Sequence, residues 1–405
     1  MPASIIFLLC LVLFAALIEP YLKRIPIPFT AILVLLGLIG SEVWTGLGYD
    51  TGLRWDSFRD IILHILVPIL VFESAYHMPT RLLIKNWLPV IVLAVPALLI
   101  SAGICGYLLF IGIGYPQAFP VLTALLAGII LAATDPVAVV SMFKAVGASP
   151  RLTALVEGES LFNDATAVVC FSLVIMALSS AQASIDWQGA IGQFSLTVGG
   201  GIIIGLLAGY CFSLLYRLMI SHVGRGVISL VAMALPFYIA EHTFHVSGII
   251  AVLISGLWLG ESRRLSQLFS QKEEGFSSEL WELNGYIANV IVFVLMGVTI
   301  TIDMFKDQWF AMLLGIGAAT ISRAAVIYTF IPLINVMPKQ ETISFSYQNV
   351  MMWGGLRGGV GIALALSIPT TVPGWYTVQA IIYGMVLFTL FIQAPLMPWL
   401  IKKTL

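Results

Sequence analysis

Of 405 residues, 60% are hydrophobic and only 10% charged, whereas a water-soluble globule carries about a quarter charged residues. Lys and Arg total 19 against 20 Asp and Glu, a formal net charge of -1 that offers no basic face for nucleic acid. A soluble enzyme or nucleic-acid binder is excluded on this balance, and an all-α polytopic membrane protein is expected.

Apolar stretches long enough to span a bilayer are predicted at 4–22, 27–45, 60–78, 88–112, 118–146, 152–180, 189–216, 226–241, 246–260, 281–300, 309–334, 347–369 and 375–401, thirteen in all, two of them short. The first lacks a basic leader and runs into Lys23 and Arg24 instead of a small-residue cleavage site, so it reads as a span and not as a removed signal. Loops after odd-numbered stretches, with the C-terminus, hold fourteen basic residues, while those after even-numbered ones hold Arg54, Arg59 and Lys306. The positive-inside rule then places the N-terminus outside and the C-terminus in the cytoplasm. Six spans on each side of the seventh make the two halves enter from opposite sides, the parity an inverted repeat requires. Only "IKKTL" follows the last stretch, so no cytoplasmic regulatory domain is expected.

Cys10, Cys105, Cys170 and Cys211 lie in apolar segments, match no disulfide or metal spacing, and read as small core residues. Glu19, one turn before Lys23, reads as interfacial. Glu73 lies deep in the third stretch, "ILVFESAYHM". His64 and His77 are candidate pH sensors, although lone histidines usually are not. In the fifth stretch, Asp135 precedes a proline in "LAATDPVAVV", which predicts a helix break at Thr134 and Asp135 with half-helix ends meeting at membrane depth. Such a break is tolerated beside a cavity and suits a binding site; a simple kink is the alternative, at a cost for Asp135.

The sixth stretch opens with "EGESLFNDATAVV", residues 157–169. Ser160 and Asp164 are i,i+4 and share one helix face, turned toward the site; Glu159 and Asn163 share the adjacent stripe and face neighbouring helices, with Asn163 able to bond the broken span. Glu157 is expected at the helix start, where a carboxylate complements the positive end. Glu241, His242 and His245 look like a metal cluster but read as a surface or packing group. The polar run 261–279 reads as a solvated amphipathic connector. Arg323 lies midway along the eleventh stretch, and each intramembrane charge costs about 2.5–3.5 kcal/mol, so it requires an acid, for which Glu159 is the candidate. In the twelfth, five glycines surround Arg357 in "GGLRGGVG" and predict a second break, with Arg357 offsetting Asp135 and half-helix carbonyls. Close helix packing is the alternative there, and leaves the arginine unexplained.

Glu73, Asp135, Glu159 and Asp164 outnumber Arg323 and Arg357, so Asp164 and Glu73 are left over once the arginines are paired. A buried carboxylate holds a proton unless a cation replaces it, and oxygens from Thr134, Ser160, Asp164 and Glu73 suit a hard ion such as Na+ or Li+. One site taking either is the core of an exchanger.

The motifs "TDPVAV" (134–139), "ESLFNDA" (159–165), "AEHTFHVSGIIA" (240–251), "LWELNGYIANVIVFVLMG" (280–297), "SRA" (322–324) and "GGLRGGV" (354–360) make the whole chain resemble sodium/proton antiporters of the NhaP and eukaryotic sodium/hydrogen exchanger type. The resemblance implies an NhaA-like fold of thirteen helices with two crossing broken helices. It also implies a homodimer in the cell membrane and elevator-like motion of a core against a dimerisation scaffold. Scaffold helices would be 1–87 and 217–308, core helices 88–182 and 309–405, and a linker helix 183–216. Asp164 resembles the essential cation and proton carboxylate, and Asn163 its neighbour in the Asn-Asp pair of electroneutral one-for-one exchangers. Thr134, Ser160 and Glu73 match ligand positions, Glu73 least consistently, and Glu159 with Arg323 matches a structural ion pair. Many members have alanine after "LRG" where this chain has glycine.

The expected function is Na+ or Li+ exchange for H+ by alternating access, with transported Na+, Li+ and H+ and the lipid bilayer as partners, no cofactor and no enzymatic site. A K+/H+ antiporter of the same fold is the alternative. A cation channel would call for charge rings along a pore, and an intramembrane aspartyl protease for a Gly-x-Gly-Asp setting that Asp164 lacks.

Overall fold

The computed structural model describes residues 2–22, 28–46, 55–114, 119–135, 140, 143, 150–179, 187–269, 275–337 and 342–404. Among them fifteen helices are distinguished: α1 Pro2–Leu22, α2 Phe29–Gly46, α3 (55–77), α4 Thr80–Lys85, α5 (87–114), α6 Val121–Ala132, α7 Pro150–Ser179, α8 Trp187–Leu218, α9 His222–Thr243, α10 Gly248–Phe269, α11 Gly275–Thr299, α12 Ile302–Val336, α13 Phe345–Trp353, α14 Gly359–Leu366 and α15 Trp375–Thr404. Eight are long and apolar enough to cross a membrane by length and composition. Apart from the short α4, the helices fall in order on the predicted apolar stretches. The part of the fifth stretch beyond Asp135 lies mostly outside the described residues.

Helix is the expected local solution, because a segment in hydrocarbon satisfies its own backbone N–H and C=O groups only that way. Prolines inside several helices perturb them without ending them. π turns at Ile62–Leu66 and Leu93–Ala97 lie beside or around Pro68 and Pro96, whose rings clash with the carbonyl four residues back and widen the turn.

Faces are not sorted by polarity. Leu9, Leu13 and Leu17 of α1 and Ile203 and Leu207 of α8 are exposed, as apolar as any core residue. The reading of all four cysteines as core residues is corrected accordingly: Cys105 and Cys170 are buried, but Cys10 and Cys211 are exposed. A lipid-facing surface accepts the same side chains as the interior.

The two short stretches extend into α9 and α10, and the connector predicted at 261–279 is corrected too. It is helix up to Phe269 and again from Gly275. Three of its charges, Glu261, Arg263 and Arg264, dock on the bundle, whereas Glu279 is exposed. Arg263 is buried with its guanidinium 4.6 Å from the ring centroid of Tyr76. Arg264 donates to the carbonyls of His77 and Met78, which α3 leaves unpaired at its C-terminal end. Glu261 bonds Arg81 at 3.1 Å.

Two groups of helices result. In one, α2 packs on α11, α11 on α3, α3 on α10, and α10 on α8 and α9; in the other, α5 packs on α6 and α12, α12 on α15, and α6 on α7. Helix α7 also touches α3, α8 and α10 and so lies between the groups. With no water to drive association, close backbone approach carries the packing. A Cβ on Gly37 would fall 2.3 Å from the Val294 carbonyl oxygen, and one on Gly297 would fall 2.2 Å from that of Val34, so α2 and α11 meet backbone to backbone.

Gly297→Val is expected to cost about 1–3 kcal/mol by overpacking and to lower the unfolding temperature in detergent. Gly46→Ala, with open space around it, should stay within about 0.5 kcal/mol of the parent. Identical melting of both variants would show that the α2–α11 contact does not limit stability.

Candidate functional site

The first break follows from Pro136, which has no N–H to continue the ladder and disfavours helix at Asp135. Helix α6 ends at Ala132, and Ala133 is extended (φ -62, ψ 134). Three successive carbonyls thereby lose their helical partners. Ala132 O accepts from Asn163 Nδ2 at 3.2 Å, Ala133 O from Arg357 Nη1 at 2.7 Å, and Thr134 O from Ser160 Oγ. Asn163 Nδ2 also reaches Thr134 Oγ1 at 3.4 Å.

At the second break, between Trp353 and Gly359, Gly354 N closes the last turn of α13 on Val350 O at 2.7 Å, and Leu356 N donates to Gly354 O at 2.8 Å. The breaks cross where Asp135 N donates to Leu356 O at 2.8 Å, an isolated antiparallel bridge. Gly358 caps the start of α14, and a Cβ there would fall 2.2 Å from Asp135 Oδ2. Only glycine lets that carboxylate lie against the positive end of α14.

Helix α7 supplies the remaining side chains. Glu159, buried, faces α12: Arg323 Nη1 donates to Glu159 Oε1 at 2.5 Å and Nη2 to Oε2 at 3.2 Å, a bidentate pair. Arg323 Nη2 also reaches Met351 O of α13 at 3.5 Å. A small cavity lined by Thr134, Asp135, Glu159, Arg323 and Gly354 lies between this pair and the crossing. Asp164 is partly exposed, on the face of Ser160, within electrostatic reach of Asp135, Arg357 and Glu159. Thr134, Asp135, Ser160, Asn163, Asp164 and Arg357 are therefore brought to one place, with Glu159 and Arg323 behind them.

Glu73 is placed differently. Its carboxylate lies 3.2 Å from His77 Nδ1 and accepts from Ser74 Oγ at 3.4 Å, while its side chain packs on Gly285 of α11. His77 Nε2 in turn meets Ser278 Oγ at 3.0 Å. The expectation for Glu157 is corrected: α7 begins at Pro150, so Glu157 lies seven residues inside the helix and not in its first turn. Helix α7 takes proline as its first residue, where the missing N–H costs nothing. Near the other histidines, Glu241 accepts from Gly248 N at 3.0 Å, and the His242 ring lies 4.7 Å from that of Tyr238. Gln379 and Gln393 of α15, both buried, carry no charge and match no motif, so they escape a reading built on intramembrane charges. The available signal was two amides in an otherwise apolar helix.

The chain as a whole is matched among known proteins. Residues 9–403 match the family model described as sodium/hydrogen exchanger, transmembrane. The Na+/H+ antiporter ApNhaP of Aphanothece halophytica is 37% identical over 381 residues, 93% of this chain and 70% of that protein. The low-affinity Na+/H+ antiporter NhaS1 of Synechocystis is 32% identical over 382 residues, 92% of this chain and 68% of that protein. The solved structure of the sodium proton antiporter MjNhaP1 from Methanocaldococcus jannaschii at pH 8 shares the fold, with a TM-score of 0.82 across 99% of this chain and 98% of that one at 22% identity. With the family matched along nearly its whole length, this multi-pass membrane protein belongs to the sodium/hydrogen exchangers.

Proposed function

We propose that the chain exchanges Na+ or Li+ for H+ across the cell membrane, one for one, through a site centred on Asp164. The observation that carries this reading is the separation of the carboxylates on α7. Glu159 is neutralised by a bidentate arginine, whereas Asp164, five residues on, is partly exposed beside the crossed breaks. A carboxylate in low-dielectric surroundings is neutralised by a proton or by a cation, and one site shared between the two couples their movements. The hydroxyl of Thr134, the carboxylate of Asp135 and Ser160 add hard oxygens of the kind Na+ and Li+ take. Arg357, its guanidinium bonded to Ala133 O, offsets the negative charge gathered there. Glu73, whose carboxylate lies 3.2 Å from His77 Nδ1, is the further cation ligand in this proposal.

Alternating access then requires the crossing to move as a body against the helices that pack on α2 and α11, in a homodimer with the N-terminus outside. Residues 88–182 and 309–405 form the moving core in this proposal, 1–87 and 217–308 the scaffold, and 183–216 the linker. The named antiport activity of the NhaP-type relatives supports the same cargo.

In proteoliposomes with an imposed pH gradient, Na+ or Li+ should collapse the gradient at a rate insensitive to clamping the membrane potential. A response driven by potential would refute one-for-one exchange, and a K+ response would refute the selectivity. Asp164→Asn is expected to lower the rate at least about a hundredfold, the loss of an interaction essential to turnover, while the protein stays folded. Unchanged exchange by that variant would remove Asp164 from the site. For the Glu159–Arg323 pair, Arg323→Met should cost about 3–5 kcal/mol by stranding a buried carboxylate, and adding Glu159→Gln should restore part of the loss. Thermal unfolding of the two variants and their combination measures this, and additive losses would show that the two side chains act separately.

A further inference from the structure

Every broken helix leaves carbonyls without partners at its C-terminal end, and these carry the negative end of the helix dipole. In α13 that end faces the site. Its last residue, Trp353, is joined to Gln393 of α15 in both directions: Gln393 Nε2 donates to Trp353 O, and Trp353 Nε1 donates to Gln393 O at 3.1 Å. Gln393 is 6% exposed and is the last residue of the π turn Thr389–Gln393. π turns inside α-helices mark sites where a side chain has to be re-aimed. Beyond Trp353 the chain reaches Leu356 in three residues through the tight Gly354 turn, and Leu356 O is the acceptor for Asp135 N. The clasp and the crossing are thus separated by one turn of chain.

The other buried amide of α15 makes the matching bond at the opposite end of the broken span. Gln379 Nε2 donates to Ala365 O at 3.0 Å, at the C-terminal end of α14. The half-helices are nine and eight residues long, too short to hold their own ends together. Helix α15 supplies a capping amide to each, one beside the crossing and one remote from it.

We propose that Gln393 is a positioning residue of the ion site: through Trp353 it sets where the second break meets the first, whereas Gln379 serves stability alone. This rests on the antiport reading of the crossing. Without the Gln393 amide, the last turn of α13 loses its cap, Leu356 O loses its set distance from Asp135 N, and Thr134 and Asp135 lose the geometry in which a cation would meet them. Gln393 itself touches none of the ion-site oxygens among the described contacts.

Purified Gln393→Leu and Gln379→Leu, reconstituted beside the parent, separate the two roles. Gln393→Leu is expected to raise the apparent KM for Na+ about five- to tenfold with the maximal rate within about threefold, a split that marks lost site geometry. It should also speed deuterium exchange in peptides across residues 352–360. Gln379→Leu should lose similar thermal stability with KM within about twofold of the parent. Gln393→Glu keeps the shape but donates only when protonated, so its rate relative to the parent should climb as the pH is lowered. A parental KM in Gln393→Leu, with deuterium exchange no faster than in Gln379→Leu, overturns the proposal. If Gln393→Leu does not fold, a flat relative rate for Gln393→Glu overturns it. Vesicles of the parent protein that exchange no ions would sink the antiport reading, and the deuterium comparison would still decide the role of Gln393.

Discussion

Three consecutive carbonyls, those of Ala132, Ala133 and Thr134, govern the rest of the structure. Each has left the helical ladder at a depth where an unpaired carbonyl costs several kcal/mol. Each accepts from a different side chain: Asn163, Arg357 and Ser160. Two donors come from α7 and one from the second break, so the break can persist only where those elements converge. The hydrogen bonds that permit the irregular backbone are the same ones that bring Asp164 and Arg357 beside Asp135. Site and fold are one solution to a single backbone problem.

The Glu159–Arg323 pair belongs to that solution and is closed on itself by two hydrogen bonds. A buried ion pair adds little net stability, because desolvation offsets attraction, but it discriminates strongly among ways of packing. Here it fixes α7 against α12, and the second contact of Arg323, with Met351 O, extends the link to the half-helix α13. Two small cavities flank the pair, one toward the crossing and one toward Leu93, Ser101 and Asn163. The rotation of α7 is set by this pair, and the orientation of Asp164 follows from helical spacing alone.

The parts of this arrangement that were legible in the sequence are those where a residue violates a rule for membrane helices. Asp135 before Pro136, and Arg357 among glycines, mark both breaks, since neither fits a continuous lipid-exposed helix. Which face of each helix is buried was not legible, because lipid and protein interior select the same side chains; Cys10 and Cys211 illustrate this. Polar residues at helix ends misled in the opposite direction. Arg263 and Arg264 read as solvated, yet an aromatic ring and two terminal carbonyls take their charge. Charge counting over the whole chain left Glu73 over, and such counting does not detect the local partner that His77 provides four residues on.

The π turn at Thr389–Gln393 has a consequence for the history of the chain. A π turn is an α-helix holding one residue more than its hydrogen bonds need, so a single-residue deletion there would leave an unbroken helix with every backbone bond intact. The wider turn has already taken up the rotation of the extra residue, so the helix on the two sides of the deletion would keep its relative orientation. Gln379 would still face α14, and the residues of the turn itself, Gln393 among them, would be the ones re-aimed. One residue of chain can therefore be lost or gained at this turn without refacing the rest of α15, and length differences among related chains are absorbed most easily here.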